Sequence, residues 1–356
     1  VSSQLHAPRL AVLVGRFQPF QQAHLATLRQ ALALAPRVLV VIGSAHQARS
    51  PRHPFSWPER AEMILAALPP AERARVQCLP LRDQHDDARW LQALQAGVAA
   101  LAPGVAAGDI TLLGCFDDAA LGGLRGVPGW QRLDVPQCPG ADGSALRDAY
   151  FAAADDALPA TLAALAAELP ASSLAFLRAW ATGPERAAVA EEWRVLRRYQ
   201  AAWADAPYPP VFVTVDAVVR CSGHVLLIQR GAAPGRGLHA VPGGFIEPRE
   251  TVYQSALREL AEETHLALPA DRWRQALRAT AVFDQPDRSQ RGRTLTHAHF
   301  FDLGECALPP LQADDDAQAA AWVPVAALPA MEAMFFDDHF QMLDHFLGLT
   351  GAPGWP

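Results

Sequence analysis

Residues 244–266 read GFIEPRETVYQSALRELAEETHL, and the placing of their charges decides how the second half of the chain folds. Gly244 is followed after five residues by Glu250, and after seven more by Arg258-Glu259-Leu260-Ala261-Glu262-Glu263. Upstream, Val241-Pro242-Gly243-Gly244 reads as a strand end and a tight turn, because adjacent glycines permit positive φ. Thr251-x-x-Gln254 is a capping box that starts a helix. Leu257, Leu260 and Ala261 then fall on one helical face. Glu259, Glu262 and Glu263, spaced i, i+3, i+4, are expected to share another, where like charges repel. A hard divalent cation with oxygen ligands removes that penalty, and Mg²⁺ (or Mn²⁺) that also holds substrate phosphates is the natural candidate. The plain alternative is a solvated acidic helix. It does not account for the glycine turn, the arginine and the fixed spacings occurring together.

With 356 residues, 51% apolar and 19% charged, the chain has material for two globular cores. A net charge of −7 argues against nonspecific nucleic-acid binding. Cys78, Cys115, Cys138, Cys221 and Cys306 are dispersed without a CxxC pair, as reduced structural thiols of a cytoplasmic protein would be. No leader pattern precedes the first strand and no apolar run spans a bilayer, so neither secretion nor a membrane partner is expected. Homo-oligomerisation is left open.

In the first half, Leu10 to Val14 is a buried parallel strand ending at Gly15. A helix follows from about Gln22, with Leu25, Leu28 and Leu32 inward. Strand, glycine turn and helix place a phosphate at a helix N-terminus. Val38 to Ile42 is a second such strand, ending in Gly43-Ser44. The alternation predicts a doubly wound, Rossmann-like α/β sheet with ligands beyond the carboxyl ends of its strands. Neither GxxxxGK[ST] nor an opening GxGxxG is present. Residues 150–206 are Ala/Leu-rich and helical. The expected division is a domain over 1–183, a helical and Pro-rich linker over 184–206, and a second domain over 207–356. There Val211–Val219 and Val225–Arg230 form a hairpin around Cys221-Ser222-Gly223-His224. Leu295–Leu303 is another strand, and Trp322–Leu347 closes the domain as a strand and a helix.

Two resemblances follow. The stretch from Gly244 to Leu266 resembles the box of Nudix hydrolases, G-x5-E-x7-R-E-U-x-E-E-x-G-U, where U is a bulky aliphatic. His265 stands at the capping glycine, at a cost of about 1 kcal/mol. The first half resembles nucleotidylyltransferases, in particular NMN adenylyltransferases fused to a Nudix domain. The matching residues are Gly15-Arg16-Phe17-Gln18-Pro19-Phe20 with His24, Gly43-Ser44-Ala45 with Arg49, and Pro54 to Arg60. Arg82-Asp83, Asp86-Asp87 with Trp90, and Gly143 to Arg147 continue the match.

The resemblance implies a nucleotidylyltransferase domain followed by a Nudix α/β/α sandwich. Its first activity is transfer of AMP from ATP to NMN, giving NAD and pyrophosphate. Gly15, Arg16, Phe17 and Gln21 form the phosphate loop, His24 binds phosphates in the transition state, and Ser144 and Arg147 hold the β- and γ-phosphates. Trp90 stacks on nicotinamide. Two positions depart from the family: Gln21 replaces the first histidine of H-x-x-H, and Gly114-Cys115-Phe116-Asp117-Asp118 replaces G-H-x-K-D. Each charge-assisted hydrogen bond so lost is worth roughly 1.5–3 kcal/mol. The Nudix half implies metal-dependent hydrolysis of ADP-ribose to AMP and ribose 5-phosphate. Glu259, Glu262 and Glu263 would hold the metal, Arg258 would orient them and Glu250 would support the box. From the loop Phe283–Thr294, Arg293 is the candidate substrate contact. His297 and His299 share a strand face but fall short of a zinc site. Asp314-Asp315-Asp316 reads as an exposed turn.

Three functional readings follow: a bifunctional enzyme of NAD metabolism, a hydrolase whose first domain only binds nucleotide, and a ligand-sensing regulator. The last predicts lost box glutamates and a basic recognition helix, and the sequence shows neither.

Overall fold

The structure is a computed structural model that describes residues 8–114, 126–135 and 142–351. The chain divides into two compact units, Val1–Ala190 and Glu191–Pro356. The division falls inside one helix, Pro184–Ala201, so residues 191–206 of the expected linker belong to the second unit. Among the described residues no helix is long and apolar enough to cross a membrane.

In the first unit the apolar runs become a parallel sheet of β1 (Leu10–Gly15), β2 (Arg37–Ile42), β3 (Val76–Pro80), β4 (Ile110–Gly114) and β5 (Gln131–Asp134). Its order is β3-β2-β1-β4-β5. Both faces are covered, so Leu10, Ala11 and Val12 are fully buried, as an all-parallel sheet requires. The helices are α1 (Gln22–Leu34), α2 (Trp57–Ala66), α3 (Pro70–Arg73), α4 (Asp87–Leu101), α5 (Gly143–Ala152), α6 (Leu158–Ala164), α7 (Ala171–Trp180) and α8 (Pro184–Ala201). Leu25, Leu28 and Leu32 line the buried face of α1. The chain winds outward from β1 through β2 to β3, then returns to β4 on the other side of β1. That reversal opens a crevice beyond Gly15 and Gly114, the usual ligand position in such sheets.

The second unit is an α/β/α sandwich on a sheet of order β10-β11-β6-β7-β12, with β8 and β9 pairing at its centre. Its strands are β6 (Val211–Cys221), β7 (His224–Arg230), β8 (His239–Ala240), β9 (Gly243–Phe245), β10 (Leu277–Phe283), β11 (Arg293–Asp302) and β12 (Ala317–Pro324). The helices are α9 (Val252–Thr264), α10 (Ala270–Ala276) and α11 (His339–Leu347). The period of two along β6 assigns its faces. Ala217 and Val219 pack with Leu260, Leu266 and Trp273 on the α9 side. Val218 packs with Phe340, Leu343 and Phe346 on the α11 side. Ser222 and Gly223, both at positive φ, make the two-residue hairpin turn whose twist suits antiparallel strands. The closing strand starts five residues earlier than expected, at Ala317, and a 3₁₀ segment over Val325–Met334 separates it from α11. Pro329 sits inside that segment and lacks the N–H a regular helix needs there.

Candidate functional site

The site of the first unit is built on the β1–α1 connection. Phe17 adopts φ 52° and folds its ring back over Gly15, where a side chain would meet it at 2.8 Å. Gln18 pairs its amide with the Phe55 backbone, donating to the carbonyl at 2.8 Å and accepting from the N–H at 3.1 Å. That pairing ties the Pro54–Arg60 motif to the phosphate loop. The end of the motif starts a helix, for the Ser56 N–H donates to Glu59 at 2.7 Å, and Glu59 also receives two hydrogen bonds from Arg49 at 2.7 and 2.9 Å.

Arg60 is the residue that the sequence reading left without a role. It is 1% exposed and donates to the carbonyls of Arg16 and Gly43 at 2.7 Å and of Ser44 at 3.0 Å. One guanidinium therefore holds the ends of both β1 and β2, and burial lowers its pKa to about 10. The available signal was position, since Arg60 stands three and four residues before Met63 and Ile64 on the apolar face of α2.

Gln21 is the N-cap of α1 and forms a capping pair with His24. The Gln21 N–H donates to His24 Nδ1 at 3.1 Å. The imidazole proton therefore sits on Nε2, the nitrogen left to donate to a ligand. His24 packs edge-on to Phe17 and stacks on Phe20; desolvation there lowers its pKa to about 4, so it is neutral near pH 7. Arg147 joins α5 to the loop by donating to the Gln18 carbonyl at 2.6 Å and to Ser144 Oγ at 3.1 Å. Gly143 brings the same helix end against the loop, for a side chain there would lie 3.1 Å from Gln21 Nε2. Gly15, Arg16, Phe17, Gln21, His24, Ser144 and Arg147 thus converge. Trp90, on the first turn of α4, is partly buried against the core of the sheet. Cys115, Phe116, Asp117 and Asp118 lie outside the described residues.

In the second unit, Thr251 and Gln254 form the expected capping box, and α9 ends at His265 in the left-handed conformation, φ 52° and ψ 19°. His265 Nε2 lies 2.9 Å from Asp314 Oδ2, so the residue in place of glycine gains a partner in the acidic turn. The buried stripe of α9 differs from the expected one: it runs through Ala256, Leu260, Glu263 and Thr264, while Ala261 is exposed. Glu263 is three residues from Leu260 and so follows it onto the core side. The three glutamates therefore share a flank but not a depth.

Arg258 organises two of them, Glu259 and Glu262. It donates to Glu250 at 3.0 Å, Glu259 at 2.9 Å, Glu262 at 2.8 Å and the Phe245 carbonyl at 3.1 Å. Gly244 leaves room for the Glu259 carboxylate, which a side chain there would meet at 2.6 Å. The Gly243 N–H donates to Glu263 Oε2 at 2.9 Å. Burial raises the Glu263 pKa to about 8 despite that bond, and the charges of Glu259 and Asp216 push the same way.

Asp216, which sequence reasoning missed, is buried on β6 and accepts from Thr296. It faces Gly243 across the strand pair, and burial raises its pKa to about 6. A lone carboxylate in the apolar run Val211–Val219 was the signal for it. Arg293 donates to the Asp284 carbonyl and closes its own loop, whereas Arg291 lies over the Phe245 ring.

Among the described residues no three His, Cys, Asp or Glu side chains stand gathered as a metal cage, and the Arg258 guanidinium bridges Glu259 and Glu262. The donor set still fits a hard divalent cation. It consists of carboxylate oxygens, and a cation there would favour the ionised form of Glu263, which burial first and then the charge of Glu259 oppose.

Residues 12–104 match the cytidylyltransferase-like family and residues 210–346 the NUDIX domain. A nicotinamide/nicotinic acid mononucleotide adenylyltransferase from Acinetobacter baylyi is 30% identical over 141 residues, 39% of this chain and 74% of that protein. An ADP-ribose pyrophosphatase from Methanocaldococcus jannaschii is 35% identical over 121 residues, 33% of this chain and 65% of that protein, just under two thirds. The crystal structure of a bifunctional NMN adenylyltransferase/ADP ribose pyrophosphatase from Francisella tularensis matches with a TM-score of 0.86 at 29% identity. The match covers 96% of this chain and 99% of that one, and that protein has also been crystallised with AMP and a manganese ion. The chain belongs to the bifunctional family that joins an NMN adenylyltransferase-type nucleotidylyltransferase domain to a Nudix hydrolase domain.

Proposed function

We propose that the second unit hydrolyses ADP-ribose to AMP and ribose 5-phosphate and that the first transfers AMP from ATP to NMN, giving NAD and pyrophosphate. The observation that carries the hydrolase is the Arg258 fan, which aims Glu259 and Glu262 at one flank of α9 beside the Gly243-Gly244 turn. Glu259, Glu262 and Glu263 would hold Mg²⁺ or Mn²⁺. Such an ion polarises the pyrophosphate and lowers the pKa of the attacking water. Glu250 supports the box from outside the ligand set by accepting from Arg258 and from Ser255 Oγ.

Direct attack of the NMN phosphate on the α-phosphorus of ATP calls for positioning and charge neutralisation more than a protein nucleophile. His24 supplies an oriented Nε2–H, while Arg16 and Arg147 supply positive charge beside the triphosphate. Ser144 opens α5 next to Arg147, and Trp90 offers a ring to nicotinamide. The test is one pair of assays on the same chain. Glu262→Gln abolishes ADP-ribose hydrolysis and leaves formation of NAD from NMN and ATP at its original rate. Hydrolysis surviving in that variant refutes the ligand assignment.

A further inference from the structure

Two cysteines meet at the hairpin of the second unit. Cys221 closes β6 and is buried, whereas Cys306 is exposed on the segment that follows β11. They stand 85 positions apart in the chain, yet their sulfurs lie 3.2 Å from each other. The sulfurs of an ordinary disulfide are about 2.05 Å apart, so an approach of about 1 Å joins them. The backbone holds the two residues there without help from sulfur. The Ser222 N–H donates to the Gly304 carbonyl at 3.0 Å. The Cys306 N–H donates to Ser222 Oγ at 2.9 Å, and that hydroxyl donates to the Cys306 carbonyl at 2.6 Å.

The segment that starts at this pair ends on the box helix. The Pro309 carbonyl accepts from Trp322 Nε1 at 2.8 Å, and Leu311 packs against the core on the α9 side. The Gln312 N–H donates to the Thr264 carbonyl at 3.0 Å and the Asp314 N–H to the Glu263 carbonyl at 3.3 Å, beside the pairing of Asp314 with His265. Residues 306–314 therefore run from the cysteine pair to the C-terminal end of α9, which carries the last glutamate of the box. Burial first, and the neighbouring Cys306 sulfur second, push the Cys221 thiol up to about 11. The exposed Cys306 is then the sulfur that meets a solute first, with Cys221 behind it to resolve the product.

We propose that Cys221 and Cys306 form a reversible disulfide, made by exchange with a low-molecular-weight disulfide, that pins residues 306–314 against the end of α9. The Cys306 sulfur attacks one sulfur of the external disulfide, whose S–S bond breaks, leaving a mixed disulfide on Cys306. Cys221 then attacks the Cys306 sulfur and the mixed bond breaks. Each leaving thiolate takes up the proton that the attacking cysteine gives up. Two protein thiols are thus oxidised to one disulfide, and one external disulfide is reduced to two thiols.

Incubation of the full chain with glutathione disulfide, followed by peptide mapping, tests it. The unaltered chain is expected to lose two hydrogens, to yield a linked pair of Cys221 and Cys306 peptides, and to return to free thiols under excess dithiothreitol. Cys221→Ser stops at a glutathione adduct on Cys306, whereas Cys306→Ser leaves Cys221 unmodified. The oxidised second unit unfolds at a midpoint higher by about 5 °C or more, and amide hydrogen exchange at Gln312 and Asp314 slows. A glutathione adduct that persists on Cys306 of the unaltered chain, a link to Cys78, Cys115 or Cys138 instead, or a linked pair that moves neither the midpoint nor the exchange overturns the proposal. Mapping of the unaltered chain needs no variant, so its result stands even where a substitution unfolds the unit.

Discussion

The backbone N–H of Gly243 donates to the buried carboxylate of Glu263 at 2.9 Å, tying the glycine turn to the last glutamate of the box. Gly243 has no room for anything larger: a Cβ would stand 2.2 Å from the Val215 carbonyl and 2.6 Å from Asp216 Oδ1. Gly243→Ala therefore has to push β9 off β6. The expected cost is about 1–3 kcal/mol, as for overpacking elsewhere. It is read as a lower unfolding midpoint of the second unit and lost ADP-ribose hydrolysis, with NAD formation retained.

Glu263 also sets a pH dependence. Its carboxyl titrates near 4.5 when unperturbed and at about 8 in the folded chain, chiefly through burial. Between those values the folded state binds more protons than the unfolded one, so stability falls as pH rises through that window. A divalent cation favours the ionised carboxylate and opposes the trend. Thermal midpoints between pH 5 and pH 8 are expected to decline without added metal, to decline less with MgCl₂, and to lose this component in Glu263→Gln.

Arg60 predicts a structural loss that looks like a catalytic one. Replacement by Met leaves the carbonyls of Arg16, Gly43 and Ser44 without their donor. Each such buried orphan costs about 1–3 kcal/mol, so Arg60→Met is expected to lower the denaturant midpoint of the first unit sharply. NAD formation fails with it, and ADP-ribose hydrolysis by the second unit serves as the internal control.

Gln21 predicts a gain. Its side chain lies beside the N-terminus of α5, and its backbone N–H orients His24. The backbone bond that orients His24 survives substitution while the side-chain half of the capping pair is replaced, so Gln21→His adds a second imidazole at the phosphate loop and keeps the first oriented. A charge-assisted hydrogen bond gained in the transition state is worth about tenfold or more in rate. Initial rates of NAD formation are the measurement, and a rate equal to or below that of the unaltered chain rules out a charge deficit at position 21.

Much of this was legible in the order of residues. Local rules are short-range, so the capping box at Thr251, the left-handed His265, the inward leucines of α1 and the Ser222-Gly223 turn follow from neighbours a few positions apart. The same holds for the parallel strands that end just before Arg16 and Gly43, and for the box itself, whose Arg258 reaches Glu262 one helical turn on and Glu250 just ahead of the helix.

What the tertiary structure decided is depth and partnership. Helical spacing places Glu259, Glu262 and Glu263 along one flank, but only the packing of α9 on β6 and β9 buries Glu263 and leaves Glu262 in solvent. Arg60 and Asp216 acquire roles through segments up to 80 residues away. Cys221 and Cys306, dispersed in sequence, come to 3.2 Å between sulfurs. Arg291 and Arg293, two residues apart on one loop, part company: one lies over Phe245 and the other closes the loop on Asp284. Sequence spacing fixes which side chains share an element and a face. How far each is drawn from water, and which distant group meets it there, depends on the sheet and helices closing over it, because burial and long-range pairing exist only in the folded chain.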